Sequence, residues 1–551
     1  MKVFTAPLQG GAGKPLIHQD ITCKRTDSGL SHGMVDCGLR NPLPWRMSYL
    51  GRMLLTADVP RTFSMPLLNK FALLLLGTMV ATPLAAEGIA LPEIGDSGAA
   101  VVSPAQERHT GEAVVRNIRR AGGILEDPLA TDYLNYLGYR LVSHSDSTQK
   151  DFHFFIVNDG DINAFALPGG FIGVNYGLFL ATKSESELAA VMAHEIAHVT
   201  QRHHARAYEE AQSASNIPVM AAIIAAIILG SQGSELGQAA LTSLAAGNIQ
   251  HQLNFTRANE KEADDIGIAL LAKSGFDPTS MANFFKKLER ESRLYGNSAP
   301  EFLRTHPVTE NRIADALNRA AQYPQHRTWH SSRNYYLMRA RLQVLSSRDP
   351  EATRRKLESK LRSGRYLDKA ATRYGLALAL IASRRHDDAR RILDQLLNED
   401  AGRIAYLLAR ARLESLAGNH AEALRRFAAT LDNYPGNGPL TFAYAKALLA
   451  ADKPAKARKL ILAWQKQGAD SSNIPHIYEL LAEAESRLGH QALSHVAMGE
   501  YYYRIGQTHE ALRQLNLALD RKEQLDFYNT SRVEARIKAL QQELAMLTTM
   551  Q

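Results

Sequence analysis

The spacing of apolar and polar residues after position 184 predicts an amphipathic helix. The segment Ser184-Glu185-Ser186-Glu187 has the form of a capping box. Downstream of it, apolar residues recur at helical spacing, at Leu188, Val191, Met192, Ile196 and Val199. This pattern predicts a helix from about Ser184 to about Glu209.

A second helix is predicted in the stretch RANEKEADDIGIALLAKSGFDP, residues 257–278. Its apolar stripe consists of Ile266, Ala269, Leu270 and Ala272. Gly275 and Pro278 follow the stripe, and both are typical of a helix C-terminus.

Three short segments before position 184 predict a small β-sheet. They are FHFFIVN (152–158), INAFALP (162–168) and FIGVN (171–175), and all are rich in aromatic and β-branched residues. Asp159-Gly160-Asp161 and Gly169-Gly170 separate them as turns.

The segment 217–249 carries one charged residue, Glu235. Its apolar stretch from Ile217 to Leu229 is too short to span a bilayer, which needs about 20 residues. A helical hairpin turning at 230–233 is predicted. We expect this hairpin to be part of the core or to form a lid. The less favoured alternative is that residues 217–249 make peripheral contact with a membrane.

From about Asn334 onward the pattern is helical and repetitive. Ala389, Ala423 and Ala457 are spaced by 34 residues, and their neighbours recur twelve residues before and four after, at Ala377, Ala411, Ala445, Leu393, Phe427 and Ile461. This period resembles the tetratricopeptide repeat.

A fourth unit places Gly499, Gly506, Ala511 and Leu515 in the same frame. The stretch 473–490 is out of frame and is either a divergent unit or a long connecting helix. Residues 335–551 are thus predicted to form an α-solenoid with a concave binding surface.

The N-terminal region has the pattern of an export signal. Lys70 precedes the apolar run FALLLLGTMVATPLAA, and Glu87 follows it. Residues 65–86 are predicted to be a cleaved signal peptide, and residues 1–64 a non-native or unstructured extension. If the run stayed uncleaved, the protein would instead be an integral membrane protease.

Composition narrows the choice of partners. The 551 residues carry a net charge of +8, but nine Lys and Arg against four Asp and Glu lie within the first 86 residues. The remaining chain is close to neutral, which argues against nucleic-acid binding. Both cysteines, Cys23 and Cys37, also lie in that region, so the exported chain needs no disulfide.

The candidate chemistry begins with His-Glu-x-x-His on the first predicted helix. His194 and His198 share one face and offer two imidazoles to Zn²⁺, while Glu195 is placed to take a proton from water. His203 and His204 are predicted to lie on a solvated basic face. On the second helix Glu260 and Asp264 share a face, so Glu260 can act as third ligand and Asp264 as partner of a ligand histidine, whereas Glu262 faces elsewhere.

These motifs resemble the gluzincin family, which includes the HtpX and CAAX prenyl endopeptidases, and most of all its soluble, BepA-like members. The matching stretches are INAFALPGG (162–170), MAHEIAHVTQRHHARA (192–207), NEKEADDIGI (259–268), SGFDP (274–278) and RTHP (304–307). The resemblance implies a mainly α protein. An α+β zinc metallopeptidase domain over 87–330, with one Zn²⁺ per chain, would precede the repeats.

The resemblance also implies roles for single residues. Glu260 would be the third zinc ligand, and Glu195 the general base of peptide hydrolysis. His306 would occupy the fourth position of the zinc and keep the resting enzyme inactive. One edge strand beside the zinc would accept substrate by strand addition, with Gly169, Gly170 and Gly173 permitting close approach. The alternative is a strand that is simply packed on the metal helix.

The expected function is that of a periplasmic zinc endopeptidase that acts in quality control. Its substrates and partners would be outer-membrane β-barrel proteins and their assembly machinery, with stalled forms degraded and productive ones assisted. The alternative is a mainly non-proteolytic assembly scaffold that acts through its repeats.

Overall fold

The computed structural model describes residues 103–147, 151–206, 257–295, 300–324, 329–468 and 474–549. These residues belong to one compact unit, Ala90–Gln551. The predicted N-terminal extension, the signal peptide and the hairpin at 217–249 lie outside the described residues. Within the described ranges, no helix combines the length and apolar content needed to cross a bilayer.

The architecture is mainly α-helical with one small sheet, followed by helical repeats, and this confirms the predicted fold class. The first half contains three strands and eight helices among its described residues: α1 (Pro104–Arg120), α2 (Pro128–Val142), β1 (His153–Val157), β2 (Ala164–Leu167), β3 (Phe171–Asn175), α3 (Tyr176–Ala181), α4 (Glu185–Thr200), α5 (Arg257–Lys273), α6 (Ser280–Tyr295), α7 (Glu301–Thr305) and α8 (Glu310–Ala320).

The second half is built of helices that pack in succession: α9 (Arg333–Leu345), α10 (Pro350–Ser363), α11 (Lys369–Ala382), α12 (His386–Glu399), α13 (Ile404–Leu416), α14 (His420–Asn433), α15 (Gly438–Ala450), α16 (Pro454–Lys466), α17 (His476–Arg487), α18 (Gln491–Arg504), α19 (Thr508–Leu519) and α20 (Phe527–Thr549), with a short 3₁₀ turn at Lys522–Gln524.

The sheet has the strand order β1-β3-β2. Strand β1 pairs with β3 in parallel, and β2 pairs with β3 antiparallel, with Phe165 opposite Gly173. Strand β2 is therefore an edge strand, and it packs against α4. All three predicted strands are present, shortened by a residue or two at some ends.

The helix predicted from Ser184 to Glu209 is not continuous; it is interrupted at 201–202, and residues 207–209 lie outside the described residues. It begins as expected, because the Ser184 hydroxyl accepts a hydrogen bond from the Glu187 backbone N–H at 3.1 Å. It ends at Thr200, and Arg202 then adopts a left-handed conformation with φ of 52°. This residue turns the chain, so the positions after it no longer follow the projection of a continuous helix.

The 34-residue period corresponds to pairs of antiparallel helices. The small and apolar residues that define it are all buried where paired helices meet: Ala377, Ala389, Leu393, Ala411, Ala423, Phe427, Ala445, Ala457 and Ile461. Each turn carries one residue of positive φ, seven positions after the first alanine, at Arg384, Gly418 and Asp452. The predicted solenoid is thereby confirmed.

The stretch 473–490 contains a helix of its own, α17, which packs on α18. Gly489 supplies the positive φ of the turn, seven residues after Ala482. Ser494 stands where the other units have alanine, and its hydroxyl donates to the Ala482 carbonyl at 2.8 Å. This stretch is therefore a divergent repeat rather than a connecting helix. Helix α18 also pairs with α19, around the turn at Gly506.

The repeats contact the first half of the molecule at both ends. Near their start, Arg341 of α9 binds Asp127, the N-cap of α2, through two hydrogen bonds of 2.7 and 2.6 Å. Near their end, Glu543 of α20 pairs with Arg116 of α1. All four side chains are buried.

Candidate metal centre

Four potential ligands from three parts of the chain meet in the first half of the molecule. His194 and His198 lie on α4, Glu260 lies in the first turn of α5, and His306 ends the short helix α7. One ligand atom from each falls within 4.8 Å of the others. Helices α4 and α5 pack closely because Gly267 has no side chain; a Cβ there would lie 3.3 Å from the His194 backbone nitrogen.

The separations between these ligand atoms are short and similar. His194 Nε2 lies 3.0 Å from His198 Nε2 and 3.4 Å from His306 Nδ1. Glu260 Oε1 lies 3.5 Å from His198 Nε2 and 2.8 Å from His306 Nδ1. Four ligands arranged tetrahedrally around zinc at its usual bond lengths stand roughly 3.3 Å apart. The donor set, three imidazoles and one carboxylate, therefore fits zinc in both chemistry and spacing.

The four potential ligands are buried, and burying polar and charged side chains carries a desolvation cost that a bound cation would offset. The four residues are at most 3% exposed. Burial alone would raise the pKa of Glu260, but His306, His194 and Arg312 outweigh it and lower this pKa to about 2. Glu260 is therefore an anion at neutral pH, as a metal ligand must be.

Glu195 lies beside the cluster and is not one of its four members. Its Oε1 is buried, has no hydrogen-bond partner among the described residues, and lies 3.6 Å from His306 Nε2. Burial raises the pKa of this carboxyl above its ordinary value, although the positive charges of His306 and His194 oppose the rise. A raised pKa makes a carboxylate a stronger base, as a general base requires.

Asp264 and Arg312 surround the ligands from outside. Asp264 Oδ1 lies 3.0 Å from His194 Nδ1, although the N–H direction does not give a good hydrogen bond. Arg312 donates to both oxygens of Asp264 at 2.8 and 2.9 Å, and its Nη1 lies 2.8 Å from Glu260 Oε2. Sequence reasoning did not find Arg312. A signal for it existed, because two buried carboxylates require a cation nearby.

The prediction that His203 lies on a solvated face is wrong. Its side chain is fully buried, and its Nδ1 lies 2.7 Å from His198 Nδ1. The other ring nitrogen lies 3.2 Å from Glu262 Oε2, which also accepts a hydrogen bond from Arg206. His204 is half-buried, and burial lowers its pKa to about 4. The left-handed turn at Arg202 is the reason, because the chain leaves the helical course of α4 there and His203 can contact His198.

Close packing within the chain accounts for two of the three glycines in and beside β3. Gly169 and Gly170 have φ of 78° and 86°, which forms the turn between β2 and β3. A Cβ on Gly169 would lie 2.4 Å from the Arg108 Cα of α1, and one on Gly173 would lie 2.6 Å from the Phe165 ring. The expectation that these glycines let a substrate strand approach stays a prediction, and β2 is an edge strand beside α4.

Comparisons with known proteins agree with this arrangement. Residues 128–320 match Peptidase family M48, and residues 416–484 match the tetratricopeptide repeat. The chain is 36% identical over 463 residues to the Beta-barrel assembly-enhancing protease of Escherichia coli (strain K12), which covers 84% of this chain and 93% of that protein. The Beta-barrel assembly-enhancing protease of Yersinia pestis is also 36% identical, over 82% of this chain and 91% of its own. The Mitochondrial metalloendopeptidase OMA1 of Schizosaccharomyces pombe is 32% identical over 33% of this chain and 51% of its own.

Proposed function

This chain belongs to the family of beta-barrel assembly-enhancing proteases and carries a peptidase family M48 domain, and we propose that its zinc ion is held by His194, His198 and Glu260. The protein is a zinc-dependent metalloendopeptidase. The observation that carries the ligand assignment is the close, tetrahedron-like spacing of buried donors from α4, α5 and the end of α7.

The proposed chemistry divides between the metal and the chain. When bound, zinc supplies a Lewis acid that polarises a peptide carbonyl and makes water more acidic. Glu195 accepts the proton of the attacking water and delivers it to the leaving amine. Asp264 and Arg312 hold the ligands in place, because Asp264 approaches His194 and Arg312 joins Asp264 to Glu260.

His306 is proposed to close the resting site as a fourth ligand. Its Nδ1 lies among the other donors, and its Nε2 faces Glu195 at 3.6 Å. A fourth protein ligand converts an open catalytic site into a closed one of structural type. Activation would then require the residues after α7 to withdraw, and α7 is anchored beside the site by Phe302, which is fully buried.

Substrate class and compartment follow as proposals from the relatives. Their name refers to assembly of β-barrels, and we extend it to this chain: the substrates are outer-membrane β-barrel proteins that have stalled or misfolded. The protein is exported to the periplasm by residues 65–86, with the peptidase domain over 87–330. The repeat domain, 335–551, recruits barrel proteins or their assembly machinery.

The test combines metal content with cleavage of an unfolded β-barrel protein by three purified forms. Wild type should hold one zinc per chain and show low basal activity. Glu195→Gln should retain zinc and lose activity by roughly 10²-fold or more. His306→Ala should retain zinc and cleave faster than wild type. Unchanged or lower activity of His306→Ala with zinc still bound would remove its closing role, and an active Glu195→Gln would remove the catalytic assignment.

A second candidate function is a mainly non-proteolytic assembly scaffold. The observation that favours it is His306 within the donor set, since four protein ligands suit a structural site. Complementation of a strain that lacks the protein separates the two. Full rescue of envelope defects by Glu195→Gln supports the scaffold, and failure of that variant supports the enzyme.

A further inference from the structure

A chain of polar side chains extends from Nδ1 of His198, the ring nitrogen that does not face the other donors. His198 turns Nε2 toward the other donors and Nδ1 toward His203 Nδ1, 2.7 Å away. His203 Nε2 lies 3.2 Å from Glu262 Oε2, and Arg206 Nη2 donates to the same oxygen at 3.1 Å. The chain runs from a fully buried imidazole to a carboxylate that is partly exposed.

The proton positions in this chain follow from ligation. A histidine that binds zinc through Nε2 carries its hydrogen on Nδ1. His198 Nδ1–H must then donate to His203 Nδ1, which accepts through its lone pair. His203 in turn carries its hydrogen on Nε2 and donates it to Glu262. In the reverse arrangement His198 would carry hydrogen on Nε2 and could not bind the metal.

The local backbone is built to bring His203 to this place. Arg202 stands in a left-handed conformation that is unfavourable for a residue with a side chain. Its side chain is held by Glu107 of α1 at 2.8 Å. A buried apolar residue would fill the same volume without the cost of desolvating an imidazole, so packing alone does not account for a histidine there.

We propose that His203 and Glu262 position His198 for zinc by fixing its tautomer and ring orientation. The inference rests on the proposed function, in which His198 is a ligand. Metal-bound histidines usually donate directly to a carboxylate or a carbonyl. Here a second imidazole stands between the ligand and the carboxylate, so both His203 and Glu262 act through His198 and are positioning residues.

The test measures zinc affinity by competition with a chromophoric chelator on the purified full chain. His203→Leu should weaken zinc binding by about 10–100-fold. His203→Gln should recover part of that loss, because its carbonyl can accept from His198 while its amide donates to Glu262. Glu262→Ala should weaken binding by roughly tenfold. The thermal midpoint of each zinc-free variant, compared with zinc-free wild type, reports any purely structural effect.

Asp265→Ala is the matched control for Glu262→Ala. Asp265 lies on the same helix, is also partly exposed and pairs with Arg319 at 3.7 Å, so its loss should leave zinc affinity unchanged. If His203→Leu does not fold, Glu262→Ala decides. Wild-type affinity in Glu262→Ala, or equal losses in Glu262→Ala and Asp265→Ala, overturns the inference. A wrong ligand assignment would give a different result, because His194→Ala would then bind zinc as tightly as wild type.

Discussion

At the scale of single residues, Arg312 contacts two carboxylates at the metal centre, Asp264 and Glu260. Its guanidinium binds Asp264 through two hydrogen bonds, and Nη1 contacts Glu260 Oε2. Nη1 also donates to the Pro307 carbonyl at 2.9 Å, next to His306. One cation thus joins α5 to the segment that carries His306, and its planar fork fits a carboxylate in a way that a lysine cannot.

Arg312→Lys should therefore weaken zinc binding although the charge is kept. We expect a loss of about tenfold or more in affinity, because Lys cannot hold both oxygens of Asp264 and also reach Glu260. Chelator competition measures it. Arg319→Lys, on the same helix and paired with a partly exposed Asp265, is the control and should bind zinc as wild type does. Equal affinities for the two variants would contradict this role of Arg312.

Prediction from sequence worked for residues related by helical spacing and failed where the chain turned. His194 and His198 are four apart on one uninterrupted helix, and Glu260 and Asp264 likewise, so their shared faces follow from geometry alone. His203 was misplaced because the projection assumed that α4 continued past Thr200. Neither the left-handed Arg202 nor the approach of Arg312 from α8 is encoded in local periodicity.

At the scale of elements, the turns between repeat helices allow the free-energy cost of a left-handed backbone conformation to be measured separately from side-chain packing. Gly418 and Arg384 occupy the same position in successive repeats, with φ of 83° and 58°. A Cβ on Gly418 would meet nothing within 4 Å. Any effect of substitution there comes from the backbone rather than from packing.

Gly418→Ala should lower the free energy of unfolding by about 1 kcal/mol, because alanine resists this conformation. Arg384→Gly should raise the free energy of unfolding, because glycine adopts a positive φ without strain. The increase should be smaller than the decrease in Gly418→Ala, because glycine also loses more conformational entropy on folding. Urea unfolding followed by circular dichroism measures both changes. Destabilisation by Arg384→Gly comparable to that of Gly418→Ala would show that backbone strain does not govern these turns.

The repeat period was predictable because its alanines sit where paired helices approach most closely. Ala377 and Ala389 are both fully buried, and so are their counterparts 34 residues on. The later units were harder to predict for a physical reason. Ser494 replaces the expected alanine and satisfies its hydroxyl with the Ala482 carbonyl, so the interface is retained while the alanine signal is lost.

At the scale of the whole molecule, buried ion pairs join the repeats to the peptidase domain. Local sequence patterns do not predict these pairs, because the partners lie far apart in the chain. Asp127 and Arg341 are 214 positions apart. Arg341 also donates to Tyr374 at 3.2 Å, which links the pair to α11. Glu185, the first residue of α4, accepts from the Ser332 backbone N–H at 2.7 Å and from its hydroxyl. The helix that carries His194 and His198 is thus tied at its start to Ser332, the N-cap of α9.

The pair Asp127–Arg341 should make stability depend on pH in acid. Burial alone would raise the pKa of Asp127, but the charge and hydrogen bonds of Arg341 outweigh it and hold this pKa below its ordinary 3.8. A carboxyl with a lowered folded-state pKa contributes stability above its unfolded pKa, and this contribution is lost as the pH falls through the folded value. Asp127→Asn should cost about 3–5 kcal/mol at neutral pH, since Arg341 stays buried without a counter-charge.

Asp349→Asn is the control that distinguishes loss of the ion pair from loss of helix capping, since Asp127 has both roles. Asp349 caps α10, also precedes a proline, and accepts from the Ala352 backbone N–H at 2.9 Å, but it is exposed and pairs with no arginine among the described residues. Asparagine caps as well as aspartate, so this variant should change stability by a few tenths of a kcal/mol. Urea unfolding from neutral pH to below about 4 should show the gap between wild type and Asp127→Asn shrinking as the pH falls through the lowered pKa. A gap that stays constant, or one no larger than that of Asp349→Asn, would mean that the two halves are held together without this pair.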